Sequence, residues 1–326
     1  MKPFLQQSRA SILIFLYVIL GALLIRPLVT KLPLLGWDWY YFFNQGNPDY
    51  NLFSPTSAYP PFTKYFIGML TQGDWRDSFA LLNGITLMTI AIATWKAGGR
   101  YGSVILALLS PPVWFLMWVG HPDALALLGA ITNFIPLALI KPQLVAWTVL
   151  RSRTLLFFTG IFLMATFLVW GFWPLNLGQA IFEHPASFGW AVLGWLILIL
   201  GLLMLPGSGK SFYGLMAAGC LISPYLMPYH LAVLVPALGQ VQGRRKILLW
   251  SSSWLLCIGL GLGSSARFLN FIFPLLVFFF SVPPADYRKN LQSLLATLRA
   301  LLPSLEKRKP AYPSFNLSES QGPGAS

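Results

Sequence analysis

Between Lys210 and Arg244 the chain reads SFYGLMAAGCLISPYLMPYHLAVLVPALGQVQG, residues 211–243, which is 33 residues without a formal charge. A bilayer core about 30 Å thick is crossed by roughly 20 helical residues, so this stretch is too long for one crossing and too short for two. It has to break. The two prolines of Ser223-Pro224-Tyr225-Leu226-Met227-Pro228-Tyr229-His230 mark where it can, because proline and the residue before it resist the helical hydrogen-bond ladder.

Other charge-free runs occupy residues 101–122, 154–182, 184–209, 247–266 and 268–285. With 56% hydrophobic residues, 10% charged residues and a mean hydropathy of +0.66, the chain lies outside the range of soluble domains. The reading is an all-α polytopic transmembrane bundle of about 8 to 10 crossings, some broken or re-entrant, in the plasma membrane. Residues 1–25 have the basic-then-apolar order of a signal peptide, but no small-residue cleavage pattern precedes Arg26, so they read as an uncleaved first span. Cys220 and Cys257 lie inside apolar runs, which argues against a disulfide framework or a thiolate metal site.

The net charge of +13 is explained by topology rather than by nucleic acid. With both termini cytoplasmic, Lys2, Arg9, Lys96, Arg100, Arg151, Arg153, Lys210, the 244–246 cluster and the 288–309 tail fall inside, which is 16 of the 22 Lys and Arg residues. Six of the nine acids then fall outside: Asp38, Asp49, Asp74, Asp77, Asp123 and Glu183. This topology needs an even number of crossings between Lys96 and Arg151, and it makes residues 60–70 re-entrant or interfacial. The domains that follow are a transmembrane unit at 1–284 with a first outer loop at 26–61, a cytoplasmic amphipathic basic helix at 285–309, and a disordered tail at 310–326.

Residues 124–140 can form only a shallow hairpin, which brings His121 and Lys141 toward each other. Ionisable groups at membrane depth are costly, so each is a candidate. Lys141, in Ile140-Lys141-Pro142-Gln143, is a cation suited to a phosphate, or else a lysine snorkelling to the interface. His121 and Asp123, in Gly120-His121-Pro122-Asp123, suit a sugar hydroxyl, or Asp123 caps the helix that follows. His230 and Tyr225 sit at the proline break, as ligand contacts or as structural residues. Three histidines scattered this way match no metal-ligand spacing, so no metal is expected, and no cofactor motif is present. Gly207-Ser208-Gly209-Lys210-Ser211 is not a phosphate-binding loop, because Met204 stands where that pattern needs glycine. Asn316-Leu317-Ser318 matches a glycosylation acceptor but falls on the cytoplasmic side.

Taken in order, Gly36-Trp37-Asp38-Trp39-Tyr40-Tyr41, Gly46-Asn47-Pro48-Asp49-Tyr50, Ala58-Tyr59-Pro60-Pro61-Phe62, Gly120-His121-Pro122-Asp123, Lys141-Pro142-Gln143 and Ser223-Pro224-Tyr225 resemble the polyprenyl-phosphate-dependent glycosyltransferases of the GT-C fold. The nearest likeness is to glycosyltransferase family 87, the bacterial membrane mannosyltransferases. The resemblance implies an extracytoplasmic active site, a lipid-phosphate sugar donor, a glycan or glycolipid acceptor, and a catalytic aspartate at Asp38. The cost of a cation in lipid and the two helix breaks point to a donor and acceptor site at Lys141, which contacts the phosphate, with His121, Gln143, Tyr225 and His230 around it and Asp123 and Tyr59 as further contacts. The chain departs from the pattern where the usual glutamine after Gly120 is His121, and where the hairpin before Lys141 is cut down.

The chemistry of transfer agrees. An inverting enzyme needs one carboxylate to deprotonate the acceptor hydroxyl, and a phosphate leaving group is helped by a cation rather than by a second acid. Asp38 has aromatic neighbours suited to sugar faces or to the membrane interface, and Lys141 supplies the cation; an ordinary loop-capping role is the plain alternative for Asp38. The competing functions are a transporter or flippase of a lipid-linked or anionic substrate, and a non-catalytic relative.

Overall fold

The computed structural model describes residues 16, 18–21, 23–28, 31–32, 34–44, 59–183, 211–223, 225–261, 264–282, 292 and 296, and every regular element among them is helical. In chain order the helices are α1 (Thr63–Leu70), α2 (Trp75–Lys96), α3 (Tyr101–Leu108), α4 (Pro111–Val119), α5 (Asp123–Thr132), α6 (Arg153–Trp170), α7 (Pro174–Glu183), α8 (Phe212–Ile222), α9 (Gly243–Ser253), α10 (Leu255–Gly261) and α11 (Ile272–Ser281). The chain also forms a π-helical turn at Trp39–Asn44, single-turn helices at Ile135–Ala138 and Pro142–Val145, and 3-10 segments at Ala146–Arg151, Pro228–Gly239 and Ser264–Phe271.

Two of these helices, α2 and α6, are long and apolar enough to cross a membrane, and α3 with α4 makes a third candidate bent by 49°. The run at 154–182 is split at Gly171, where α6 ends with φ +69°, and α7 begins at Pro174. The α2 span has a shorter charge-free run, residues 78–95, with Arg76 and Asp77 in its first turn and Lys96 in its last. Asp74 caps it by accepting from the Arg76 amide at 2.8 Å, and Asp77 pairs with Arg26. The helix expected at 285–309 is described only at Gln292 and Ala296, and the tail at 310–326 and the run at 184–209 lie outside the described residues.

Several elements are half-length. The 10 residues of α5 and the 11 of α8 rise about 15 Å each, half of a bilayer core. The 211–243 run breaks at the proline-rich segment: α8 stops at Ile222 and the chain resumes as a 3-10 segment at Pro228–Gly239. Pro236 removes an amide donor inside that segment. All 12 of its residues are buried, packed against α2, α3, α4, α5, α8 and α11, so it forms the axis of the fold. An irregular backbone at such depth is tolerated because protein surrounds it.

The hairpin after α5 closes through two features. Asn133 ends α5 in the left-handed region at φ +61°, and Arg151 donates to its side chain and, at 3.3 Å, to Ala130 O. The Ile135–Ala138 turn then lies directly on Gly129, where any Cβ would overlap the Ala138 backbone. The contact carries Lys141 back to the start of α5.

Candidate functional site

Asp123 is the first residue of α5, and its carboxylate is fully buried. It does not cap the helix. Pro122 holds the cap position, and the Asp123 side chain makes no capping bond. Its Oδ1 instead lies 2.6 Å from His121 Nδ1 and 3.1 Å from Lys141 Nζ, while Oδ2 is 3.9 Å from His230 Nε2. The half-helix, the hairpin and the central 3-10 segment thus each contribute a polar side chain to one point.

An ionised carboxylate only accepts hydrogen bonds, so His121 donates from Nδ1, which leaves Nε2 as an acceptor. The Tyr59 hydroxyl, 2.6 Å from Nε2, donates to it, and Lys141 Nζ lies 3.4 Å away. A hydroxyl, an imidazole and a carboxylate are therefore aligned as Tyr59–His121–Asp123. Aromatic rings hold the imidazole: Tyr59 is stacked at 5.9 Å, Tyr229 lies at 4.8 Å and Phe43 meets it edge-on at 5.7 Å. Gly120 permits the approach. It sits at φ +77°, and a Cβ there would come within 2.7 Å of both Trp39 and Phe79.

His230 accepts the Met227 amide at Nδ1, so in its neutral form Nε2 carries the proton. That nitrogen is 3.0 Å from Lys141 Nζ. A donor thus faces an ammonium, and an oxygen acceptor bridging the two from one side would satisfy both. The Lys141 ammonium also lies 5.2 Å from the centre of the Tyr59 ring. The Tyr225 and Tyr229 hydroxyls pair at 3.2 Å beside His230. Gln143 Oε1, two residues beyond Lys141, is buried with no hydrogen-bond partner among the described residues.

Asp38 approaches from the expected outer loop, whose residues 37–44 are helical and whose residues 45–58 lie outside the described residues. Trp39 is fully buried and donates from Nε1 to Ser78 Oγ at 2.8 Å, which ties this turn to the start of α2. Asp38 itself is half-buried. Desolvation pushes its carboxyl up from 3.8 to about 6, against the pull of the Lys141 charge and with a further push from Asp123. Asp38 is thus within electrostatic reach of the buried cluster.

Of the residues singled out in the sequence, His121, Asp123, Lys141, Tyr59, Tyr225 and His230 come together, with Asp38 at their margin and Gln143 two residues beyond Lys141. Tyr229 joins them without having been singled out. Its position four residues after Tyr225, beside the proline break, is the signal that could have found it. The spacing of the histidines gave no metal pattern, yet His121, Asp123 and His230 offer ligand atoms all within 4.8 Å of one another. The Lys141 ammonium sits among the three, and the Met227 amide directs the His230 lone pair away from that point. As held here, the three side chains surround the ammonium of Lys141 rather than converge on a metal ion. No family model, no curated protein and no solved structure matches the chain.

Proposed function

We propose that the chain is a membrane glycosyltransferase that moves a monosaccharide from a polyprenyl-phosphate donor to an acceptor hydroxyl on the outer face of the membrane, with inversion. The sugar expected from the likeness to family 87 is mannose. The observation that carries the reading is a buried ammonium, Lys141, set among His121, His230 and the Tyr59 ring, with the half-buried carboxylate of Asp38 within range of its charge. Inverting transfer from a lipid phosphate needs those two groups and no second acid.

In this mechanism Asp38 takes the acceptor proton, Lys141 and the Nε2 proton of His230 receive the phosphate oxygens, and Tyr59, Tyr225 and Gln143 line the donor and acceptor path. The Trp37 and Tyr41 rings, 4.1 Å apart on the same turn as Asp38, suit a sugar face. The Asp38 end of the bundle is extracytoplasmic, and the Lys96, Arg151 and 244–246 end is cytoplasmic, as are both termini. A GT-C-like bundle of 8 to 10 crossings accommodates α2, α6 and the bent pair α3 and α4 as full spans, with the half-helices pairing to complete others.

A transporter of a lipid-linked anion is the second reading. It is favoured by the half-length helices and by an ammonium that already has a carboxylate partner, a pair able to exchange partners without chemistry. Incubating the purified protein with polyprenyl-phosphate sugars separates the two. Acceptor-dependent release of polyprenyl phosphate supports the transferase, and movement of intact donor across vesicles without its consumption supports the transporter.

A further inference from the structure

Resting on the reading of Lys141 as the donor-phosphate residue, we infer that Asp123 sets the charge this site accepts: it admits a singly charged phosphodiester, the lipid-phosphate sugar, and disfavours a doubly charged phosphomonoester, the spent lipid phosphate.

The observation is that the ammonium at the site is already balanced. Lys141 Nζ lies 3.1 Å from Asp123 Oδ1, and both side chains are almost completely removed from solvent. Asp123 Oδ2 accepts no hydrogen bond among the described residues, so half of the carboxylate keeps its negative face toward the cluster. The groups around the ammonium are His121 and His230, the hydroxyls of Tyr59, Tyr225 and Tyr229, and, further out, Asp38. Two carboxylates and one ammonium thus face the place where a phosphate is read. Donors are plentiful there, and net positive charge is not.

A phosphate entering such a site gains hydrogen bonds from Lys141, His230 and the tyrosines but meets the charge of Asp123 at short range. In a protein interior that repulsion is only weakly screened, and it scales with the charge brought in. A phosphodiester brings one negative charge at neutral pH. A phosphomonoester brings close to two, because its second ionisation falls near 6.

The transfer step converts one into the other. The bond between the anomeric carbon and the phosphate oxygen breaks with its electron pair on the phosphate, the acceptor oxygen bonds the anomeric carbon, and the acceptor proton goes to Asp38. The leaving phosphate gains one negative charge beside Asp123. The same carboxylate that tolerates the donor therefore expels the product.

The test uses the full chain in detergent and two probes with one lipid tail, farnesyl phosphate and its methyl phosphodiester, with binding followed by calorimetry at pH 7.5. The natural chain should bind the diester at least about tenfold more tightly than the monoester. Asp123→Asn should bring that ratio close to one, chiefly by gaining affinity for the monoester, and Asp123→Glu should preserve it. Equal binding of the two probes by the natural chain overturns the inference, as does a preference that survives in Asp123→Asn. If Asp123→Asn does not fold, the ratio in the natural chain and in Asp123→Glu decides alone. Failure of both probes to bind, with Lys141→Gln indistinguishable from the natural chain, overturns the donor-site reading and this inference with it.

Discussion

Lys141 Nζ stands 3.1 Å from Asp123 Oδ1, a contact made across the hairpin that leaves α5 and returns over Gly129. The sequence presents Lys141 as a cation in need of an anion, and the fold supplies one from within the chain. The consequence is energetic first. Breaking a buried pair from one side leaves an uncompensated charge, so Lys141→Met should lower stability by about 3–5 kcal/mol. Lys141→Met with Asp123→Asn should lower it less than Lys141→Met alone. Thermal unfolding of the three proteins in one detergent checks the order, and a double variant less stable than the single one would contradict the pairing.

Burial raises the Asp38 carboxyl to about 6, and the role of base proposed for it requires the ionised form. Transfer should therefore fall off as pH drops through about 6, following one proton, with a plateau above. The sign for stability is the opposite. A carboxyl raised in the folded state binds its proton more tightly there than in the unfolded chain, so ionisation between 3.8 and about 6 opposes folding. Asp38→Asn should accordingly be no less stable than the natural chain at pH 7.5, as read by thermal unfolding.

Gly129 is where the returning hairpin touches α5. A methyl group there overlaps the Ala138 backbone, and because backbone cannot rotate aside as a side chain can, the Ile135–Ala138 turn must move. Gly129→Ala should cost about 1–3 kcal/mol and displace Lys141 from His121 and His230. Donor binding should weaken in this variant although no site residue has changed. Calorimetry with a polyprenyl-phosphate sugar measures it.

The topology is tested at two serines. Single cysteines replacing Ser54, in the expected outer loop, and Ser152, which precedes α6, should react with an impermeant thiol reagent from opposite sides of the membrane. Labelling of both from the same side contradicts the orientation.

How much of this was legible beforehand depended on whether a length or a direction was at issue. Charge-to-charge distances along the chain revealed the break at 223–230 and the return between His121 and Lys141, because a helix has a fixed rise and a bilayer a fixed thickness. Side-chain directions were not legible. In sequence Asp123 reads as a helix cap, but Pro122 takes that position and the Asp123 carboxylate turns to His121, Lys141 and His230. Asp77 sits beside Arg76 in sequence yet pairs with Arg26. The α2 span was legible from the sides assigned to its ends, Asp77 outside and Lys96 inside, although its first turn carries both signs of charge. The meeting of His121 and His230 was hidden for the same reason as the Asp123 contacts: they are far apart along the chain and come together only through the central 3-10 segment.

Turnover of Asp38→Asn tests the account most directly. Polyprenyl-phosphate mannose and a lipid-linked glycan acceptor are incubated with the natural chain, Asp38→Asn and Asp123→Asn, and released polyprenyl phosphate is counted. Loss of a general base typically slows a reaction by about 100- to 10,000-fold, so Asp38→Asn should nearly abolish release while still binding the donor. Release by Asp38→Asn at the rate of the natural chain, with Asp123→Asn inactive, would move the base to the His121–Asp123 pair and contradict the role assigned to Asp38.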